Sequence, residues 1–194
     1  IQLWPRLAGL LSDYDRVLRQ RSTLLKSAGI LRGSARTAAL STLEVWDEKL
    51  AEAGAEIVLA RARTVDLLAG EFSRLYRQIS GTDDQVRISY ESTVIGELTY
   101  SSIPTLKTQI LTQLVEVQSK ELDRGVCLIG PHRDDLIIEL NQFPAKGYAS
   151  HGESWSLALS LKLASAHVLS VSDDRPIVIL DDVFAELDTG RRGR

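Results

Sequence analysis

The most informative stretch of the sequence is Pro176-Ile177-Val178-Ile179-Leu180-Asp181-Asp182, with Ala185-Glu186-Leu187-Asp188 shortly after it. Four apolar residues run into two adjacent carboxylates, and a short unbroken Val/Ile/Leu run predicts a strand that is buried on both faces. Carboxylates at the carboxyl end of such a strand lie where open α/β sheets bind ligands. Because Mg²⁺ prefers hard oxygen ligands, the pair predicts a magnesium site of the Walker B type. The alternative is that the two aspartates only end a strand and cap the next segment.

The amino-acid composition is that of a soluble globular protein and gives no indication of a ligand. The 194 residues are 44% hydrophobic and 25% charged, which is ordinary for a soluble globular protein, and the net charge of -3 gives no overall basic signature. The single cysteine, Cys127, lies in an apolar run and predicts a buried thiol in a reducing, cytoplasmic compartment. No apolar stretch approaches the ~20 residues of a membrane span. The chain has no methionine, so we expect that Ile1 is not a native start.

The first third of the chain predicts a helical hairpin. Apolar residues recur at alternating spacings of four and three, with Arg21 as the one polar interruption of this heptad seam. Glycines at 29 and 33 break the first helix. Ser41 and Glu44 form a capping box that predicts the start of the second helix, and Gly81 ends it. The first seam consists of Leu3, Leu7, Leu10, Tyr14, Val17 and Leu24.

The two helices of the hairpin differ in charge. Residues 1–36 carry seven basic residues against two acidic ones, whereas residues 37–72 carry three against seven. One interpretation is mutual attraction across the hairpin. The other is that the first helix also contacts nucleic-acid phosphates, through Arg16, Arg19 and Arg21.

The rest of the chain mixes strands and helices, which predicts an α+β fold. Strands are predicted at 86–90, 126–129 and 136–140, and helices at about 103–124 and 150–169. Between two of the strands lies Gly130-Pro131-His132-Arg133-Asp134-Asp135. Within it, Arg133 could pair with Asp134 or Asp135, or reach a phosphate.

The segment Ser150-His151-Gly152-Glu153 opens the last long helix. Ser150 and Glu153 form a capping box around a glycine. A helix N-terminus presents unpaired N–H groups and a partial positive charge, and glycine lets an anion approach the backbone closely. The segment therefore predicts a phosphate site, with a purely structural cap as the alternative.

The order of these motifs resembles the second half of an ABC-type ATPase head, and three segments resemble the RecF family of DNA-repair ATPases, relatives of SMC proteins. Residues 14–26, Tyr-Asp-Arg-Val-Leu-Arg-Gln-Arg-Ser-Thr-Leu-Leu-Lys, are similar to one family stretch. Gly130-Pro131-His132-Arg133-Asp134-Asp135 is similar to a second. Residues 179–188 are similar to the family's Walker B and D-loop. The short hairpin favours RecF over other SMC-like ATPases, whose coiled coils are usually longer.

The resemblance implies a fold and a composite site. Residues 1–122 would form an arm lobe, with the hairpin at 1–80 and a strand and helix at 85–122, and residues 123–194 would form the C-terminal part of a P-loop ATPase head. ATP would lie between two subunits of a homodimer. Ser150, Gly152 and Glu153 would bind the nucleotide of the partner subunit. Asp181 would hold Mg²⁺, Asp182 would act as the catalytic base, and Asp188 would cross the dimer interface.

The resemblance also implies partners and activity. A RecF-type protein would bind DNA at gaps or junctions and, with RecR and RecO, support the loading of RecA. The Walker A lysine, the Q-loop and the switch histidine are not in these 194 residues. We therefore expect that this chain alone does not hydrolyse ATP, whereas the full-length protein is a slow ATPase. The alternative is a DNA-binding or structural SMC-like module with a vestigial nucleotide site.

Overall fold

The computed structural model describes residues 3–94, 101–170 and 176–181. Its regular elements are α1 (Leu7–Ile30), α2 (Gly33–Ser80), β1 (Val86–Glu91), α3 (Ile103–Arg124), β2 (Asp135–Leu140), β3 (Phe143–Pro144), α4 (Ala145–Tyr148) and α5 (His151–Ser170). The predicted α+β class is confirmed. None of the helices in the described ranges is long and apolar enough to cross a membrane.

Helices α1 and α2 run antiparallel, since Tyr14 lies against Gly54 while Arg21 bonds to Asp47. The chain reverses at Leu31 and Arg32, and residue 33 has a φ of +58°, which glycine adopts most readily.

The predicted capping box at Ser41 is wrong. The hydroxyl of Ser41 donates to the carbonyl oxygen of Thr37 at 3.3 Å, inside a helix that has already begun at Gly33. The helix therefore starts about two turns earlier than its capping motif indicates.

Helix α3 has the boundaries that its sequence predicts. The Ser102 side chain accepts a hydrogen bond from the Thr105 N–H at 3.2 Å, a proline lies in the first turn, and Gly125 ends the helix with a φ of +65°. The helix crosses α1 closely at Gly29, where an added Cβ would lie 2.6 Å from the carbonyl oxygen of Leu122. Only glycine permits this approach without a shift of the backbone.

The chain divides into two compact units. One comprises Ile1–Ala62 and Glu91–Asp135, and the other comprises Arg63–Tyr90 and Leu136–Arg194, so the division falls inside α2. The predicted boundary near residue 122 stays a prediction. The core of the second unit contains side chains from α2, β1, β2 and α5, namely Leu68, Phe72, Tyr76, Val86, Ile88, Leu140, Leu157 and Ala164.

The sheet of the described residues is small and antiparallel, with the order β1-β2-β3. Leu140 pairs with Phe143 across a tight turn in which Asn141 and Gln142 have φ values of 50° and 73°. The predicted strand at 126–129 is wrong, because these residues have no strand structure. Their polar groups bond to side chains instead, and the N–H of residue 128, for example, donates to Glu121 at 2.6 Å.

The strand predicted at 177–180 is also absent from the structure. Residues 176–181 have no regular secondary structure, and Ile177 and Ile179 are 90% and 86% exposed. A strand of this kind needs ladder hydrogen bonds from neighbouring strands and cover on both faces. The sheet that the structure describes consists of β1, β2 and β3 and does not include residues 177–180.

Candidate functional site

The start of α5 carries three residues of the predicted nucleotide site, Ser150, Gly152 and Glu153. The Glu153 carboxylate accepts hydrogen bonds from the N–H and the hydroxyl of Ser150, both at 2.7 Å, while the Glu153 N–H donates to Ser150 Oγ at 3.3 Å. This is the reciprocal pattern of a capping box, as the sequence predicts. The helix therefore begins at a fixed position, with Gly152 in its first turn.

The body of α5 is fixed by its packing. Leu157 and Ala164 belong to the core of the second unit, while Ser156 and Ser160 are fully buried. The hydroxyls of these two serines bond back to helix carbonyls, at 2.9 Å to Gly152 and 2.6 Å to Ser156, so that neither polar group is left unsatisfied. A helix N-terminus that is held by the core below it can present its N–H groups to an anion without further ordering.

The acidic part of the predicted site is described only at Asp181, which is exposed and lies in the irregular segment 176–181. Asp182 and Asp188 lie outside the described residues. Among the residues that the structure does describe, no group of three or more acidic, histidine or cysteine side chains could hold a metal ion. The structure thus brings Ser150, Gly152 and Glu153 together, and the metal and catalytic assignments stay predictions.

A buried ionic centre occupies the first unit, and it corrects one predicted role. Arg21 is fully buried, and its guanidinium donates through Nε to Asp47 at 2.5 Å and through NH2 to Glu121 at 2.6 Å. Its NH1 group donates to the sulfur of Cys127 at 2.7 Å. The prediction that Arg21 contacts DNA is wrong, because a guanidinium that is enclosed and bonded on three sides cannot reach a phosphate.

The electrostatics of the centre favour a permanent charge on Arg21. Burial alone would lower the pKa of Arg21, but the hydrogen bond to Glu121 and the nearby Cys127 and Asp47 outweigh burial and raise this pKa. Cys127 is 2% exposed, as predicted, and burial raises the pKa of its thiol. The second oxygen of Glu121 accepts the Leu128 N–H, so both of its oxygens are bonded.

The sequence carries one signal of this centre, which is the position of Arg21 itself. A polar residue at a seam position of a heptad pattern faces the partner helices rather than solvent. The position therefore argues against a surface role for this arginine, whereas its acceptors are too distant in the chain to be inferred from spacing.

The segment Gly130–Asp135 is a turn whose polar groups are bonded to α1, to α2 and to the residues just after β1. Residue 130 has a φ of +124°, and its N–H donates to Thr93 Oγ1 at 2.9 Å. Asp134 accepts hydrogen bonds from the Thr93 N–H and from Ser92 Oγ, both at 2.9 Å. Of the alternatives for Arg133, the structure shows neither aspartate as its partner: Nε and NH2 donate to the carbonyl oxygen of Cys127 at 3.0 and 2.9 Å.

His132 is held as a neutral ring inside this turn. Nδ1 lies 2.7 Å from the Tyr14 hydroxyl and Nε2 lies 3.4 Å from the carbonyl oxygen of Cys127. This arrangement suits a tautomer that accepts at Nδ1 and carries its proton at Nε2. Burial lowers the pKa of His132, and the nearby Arg133 lowers it further.

Arg16 and Arg19, the other two predicted DNA contacts, are both exposed on α1. Arg16 forms an ion pair with Asp13 of the same helix. Such exposed pairs contribute typically about 0.2–1 kcal/mol, so this one leaves Arg16 able to exchange partners. The acidic face of α2 is partly paired elsewhere, because Glu48 bonds to Lys107 of α3 at 2.7 Å.

Comparisons with known proteins agree with the fold. No protein-family model matches the chain. It is 48% identical over 205 residues to the DNA replication and repair protein RecF of Kineococcus radiotolerans, and the match covers 98% of this chain and 52% of that protein. It is 47% identical over 191 residues to RecF of Streptomyces avermitilis, with coverages of 98% and 51%.

Comparison with solved structures also finds RecF proteins. The structure of the recombination mediator protein RecF-ATP in the RecFOR pathway matches with a TM-score of 0.83 and 28% identity, over 97% of this chain and 49% of that one. A RecF structure with an ATP analogue matches with a TM-score of 0.82. The fold is thus of the ABC-type ATPase class. The chain belongs to the RecF family, and it spans about half the length of the curated relatives it matches.

Replacing Arg21 by methionine tests the ionic centre. The variant leaves Asp47 and Glu121 buried without their cation, so we expect a loss of about 3–5 kcal/mol in the free energy of unfolding. Adding Asp47→Asn and Glu121→Gln to Arg21→Met removes the uncompensated charges, and this triple variant should recover much of that loss. Urea unfolding of the 194-residue chain measures both. A single Arg21→Met variant of wild-type stability would show that the centre contributes nothing.

His132 predicts a pH dependence of stability. Its pKa is lowered in the fold, so the unfolded chain binds the proton more readily, and stability decreases as the pH falls below the ordinary histidine value of about 6.5. Urea unfolding at pH 5 and 7.5 should show a smaller decrease for His132→Gln than for the wild type. His151→Gln, at an exposed position, is the matched control and should keep the wild-type decrease. Equal decreases in all three proteins would contradict the assignment.

Proposed function

We propose that the chain is part of a RecF-type DNA replication and repair protein that binds DNA under the control of ATP and acts as a recombination mediator. The observation that carries the proposal is the capping box of Ser150 and Glu153 at a core-anchored helix start, in a chain 48% identical to a RecF protein. The relatives' own names supply replication, repair and the RecFOR pathway. From that pathway we propose RecO and RecR as partners and RecA loading as the outcome.

The nucleotide chemistry depends on the helix start. We propose that Ser150, Gly152 and Glu153 bind the terminal phosphate of an ATP held mainly by a second subunit, because a helix N-terminus favours an anion. The likeness to a solved structure of RecF-ATP supports ATP as the nucleotide. For the capping box to bind a phosphate through the Ser150 hydroxyl, the bond from that hydroxyl to Glu153 has to be exchanged.

The acidic residues fit a hard cation. The exposed Asp181 carboxylate is a suitable oxygen donor, and we propose that it holds Mg²⁺, which when bound offsets phosphate charge. Asp182 would orient or deprotonate the attacking water, and Asp188 would contact the second subunit. Aspartate is one methylene shorter than the glutamate of most ABC ATPases, which favours slow turnover and the behaviour of a switch.

The exposed run 177–180 also bears on the proposal. We propose that the strands it needs as neighbours belong to the half of the relatives that this chain does not match. Apolar residues that are up to 90% exposed would then be covered in the intact gene product. We expect no ATP hydrolysis from these 194 residues alone, because the Walker A lysine is not among them.

Mixing two inactive variants tests the composite site. Asp182→Asn removes the proposed base, and Gly152→Asp places a carboxylate where the phosphate would bind. In a mixed dimer one site combines the intact Asp182 of one subunit with the intact Gly152 of the other, so we expect each variant alone to be inactive and the mixture to regain ATP hydrolysis. The measurement is phosphate release by the intact gene product. Two inactive variants that stay inactive when mixed would contradict a site shared between subunits.

Salt dependence tests the DNA contacts of α1. We propose Arg16 and Arg19, both exposed, as phosphate contacts. In the intact gene product, Arg16→Ala with Arg19→Ala should reduce the slope of log K against log salt for duplex DNA by about 1.8, since each phosphate contact contributes about 0.9. An unchanged slope would show that these arginines only serve the charge balance of the hairpin.

A further inference from the structure

The turn at residues 127–133 positions two arginines through its own carbonyl oxygens. Arg133 donates twice to the carbonyl of Cys127, and Arg61 of α2 donates through NH1 to the carbonyl of Pro131 at 2.6 Å. We call this arrangement, with Arg61, Arg133 and residues 127–133, the anchored-arginine turn. All of it lies in the first compact unit.

A carbonyl anchor fixes a guanidinium without neutralising it. Arg21 and Arg74, by contrast, each pair with a carboxylate. Arg32 also donates to carbonyl oxygens, but these belong to Gly29 and Leu31, its near neighbours in the chain. Neither Arg61 nor Arg133 forms an ion pair with a carboxylate in the part of the chain that the structure describes. Arg133 is exposed and Arg61 half-buried, so two positive charges are held at one turn with donors still to be used.

The base of the turn is held by hydrogen bonds to other segments of the chain. Cys127 is bonded through its sulfur to the buried Arg21, and the Leu128 N–H is bonded to Glu121. At the other end, the N–H of residue 130 is bonded to Thr93. The two hydrogen bonds to Cys127 already restrict the conformation of the Arg133 side chain. An anion would therefore bind a preorganised guanidinium and cause little further loss of side-chain entropy.

We propose that Arg61 and Arg133 of the anchored-arginine turn bind phosphate groups of the DNA backbone. Guanidinium groups match the oxygens of a phosphate, and a contact with the backbone positions a protein without reading sequence. The inference rests on the proposed DNA binding and specifies where part of it occurs. The same chemistry would suit the phosphates of a nucleotide, so the experiment has one arm for each source.

The test uses the intact gene product with a fluorescein-labelled duplex at several salt concentrations. Arg61→Gln and Arg133→Gln should each reduce the slope of log K against log salt by about 0.9, and the double variant by about 1.8. Arg133→Lys keeps the charge but not the two-bond anchor, so it should keep the slope and bind more weakly. Arg74→Gln is the matched control: this arginine is also held by hydrogen bonds, but its partners are the side chains of Glu71 and Gln78, and the Glu71 carboxylate offsets its charge, so the slope should not change.

The outcomes separate the two levels of the proposal. A wild type that does not bind the duplex would contradict the proposed DNA binding itself. A wild type that binds, with a double variant of unchanged slope, would overturn only the assignment to this turn. Loss of ATP binding with an unchanged DNA slope would also overturn it, because the phosphate would then be that of a nucleotide.

Thermal unfolding identifies any glutamine variant that has lost its fold. If a glutamine variant has lost its fold, the DNA affinities of Arg61→Lys and Arg133→Lys are compared with that of the wild type, because these variants keep the charge and a long side chain. Weaker DNA binding by these lysine variants would support the proposal, and DNA binding as tight as that of the wild type would overturn it.

Discussion

The first unit depends on the burial of one charge. Arg21 lies where α1, α2 and α3 meet, and it can stay there only because Asp47, Glu121 and the sulfur of Cys127 each accept one of its donors. A buried guanidinium without these partners would cost several kcal/mol, as an order of magnitude. The same requirement constrains how the helices pack, because the three acceptors come from different segments of the chain.

The turn after α3 is held in position by hydrogen bonds to Arg21 and to Glu121, its buried partner. Cys127 and Leu128 form these bonds, and the carbonyl of Cys127 in turn holds Arg133 and faces His132. A buried structural group thereby determines where exposed cations lie. The polar residues of this segment therefore serve the fold and a surface at the same time, and removing one of them changes both.

In the second unit, core packing and a capping box together fix the position of the start of α5. Side chains of α5 pack in the core with those of α2 and the sheet, and the capping box of Ser150 and Glu153 closes the first turn. The cap was predictable from the sequence, because its donors and acceptors are three residues apart. The exposure of residues 177–180 was not, because burial requires neighbouring strands, and a strand without them stays exposed whatever its sequence.

The sequence by itself determined the local features of this protein: the two hairpin helices, the caps at Ser102 and Ser150, the end of α3 at Gly125 and the resemblance to RecF. Each structural feature among them depends on residues within a few positions of one another. The tertiary structure decided which groups hold Arg21 and Arg133. The seam position of Arg21 already indicates that it faces the partner helices, but its acceptors lie up to 106 residues away in the chain, so only the folded structure brings them to the guanidinium.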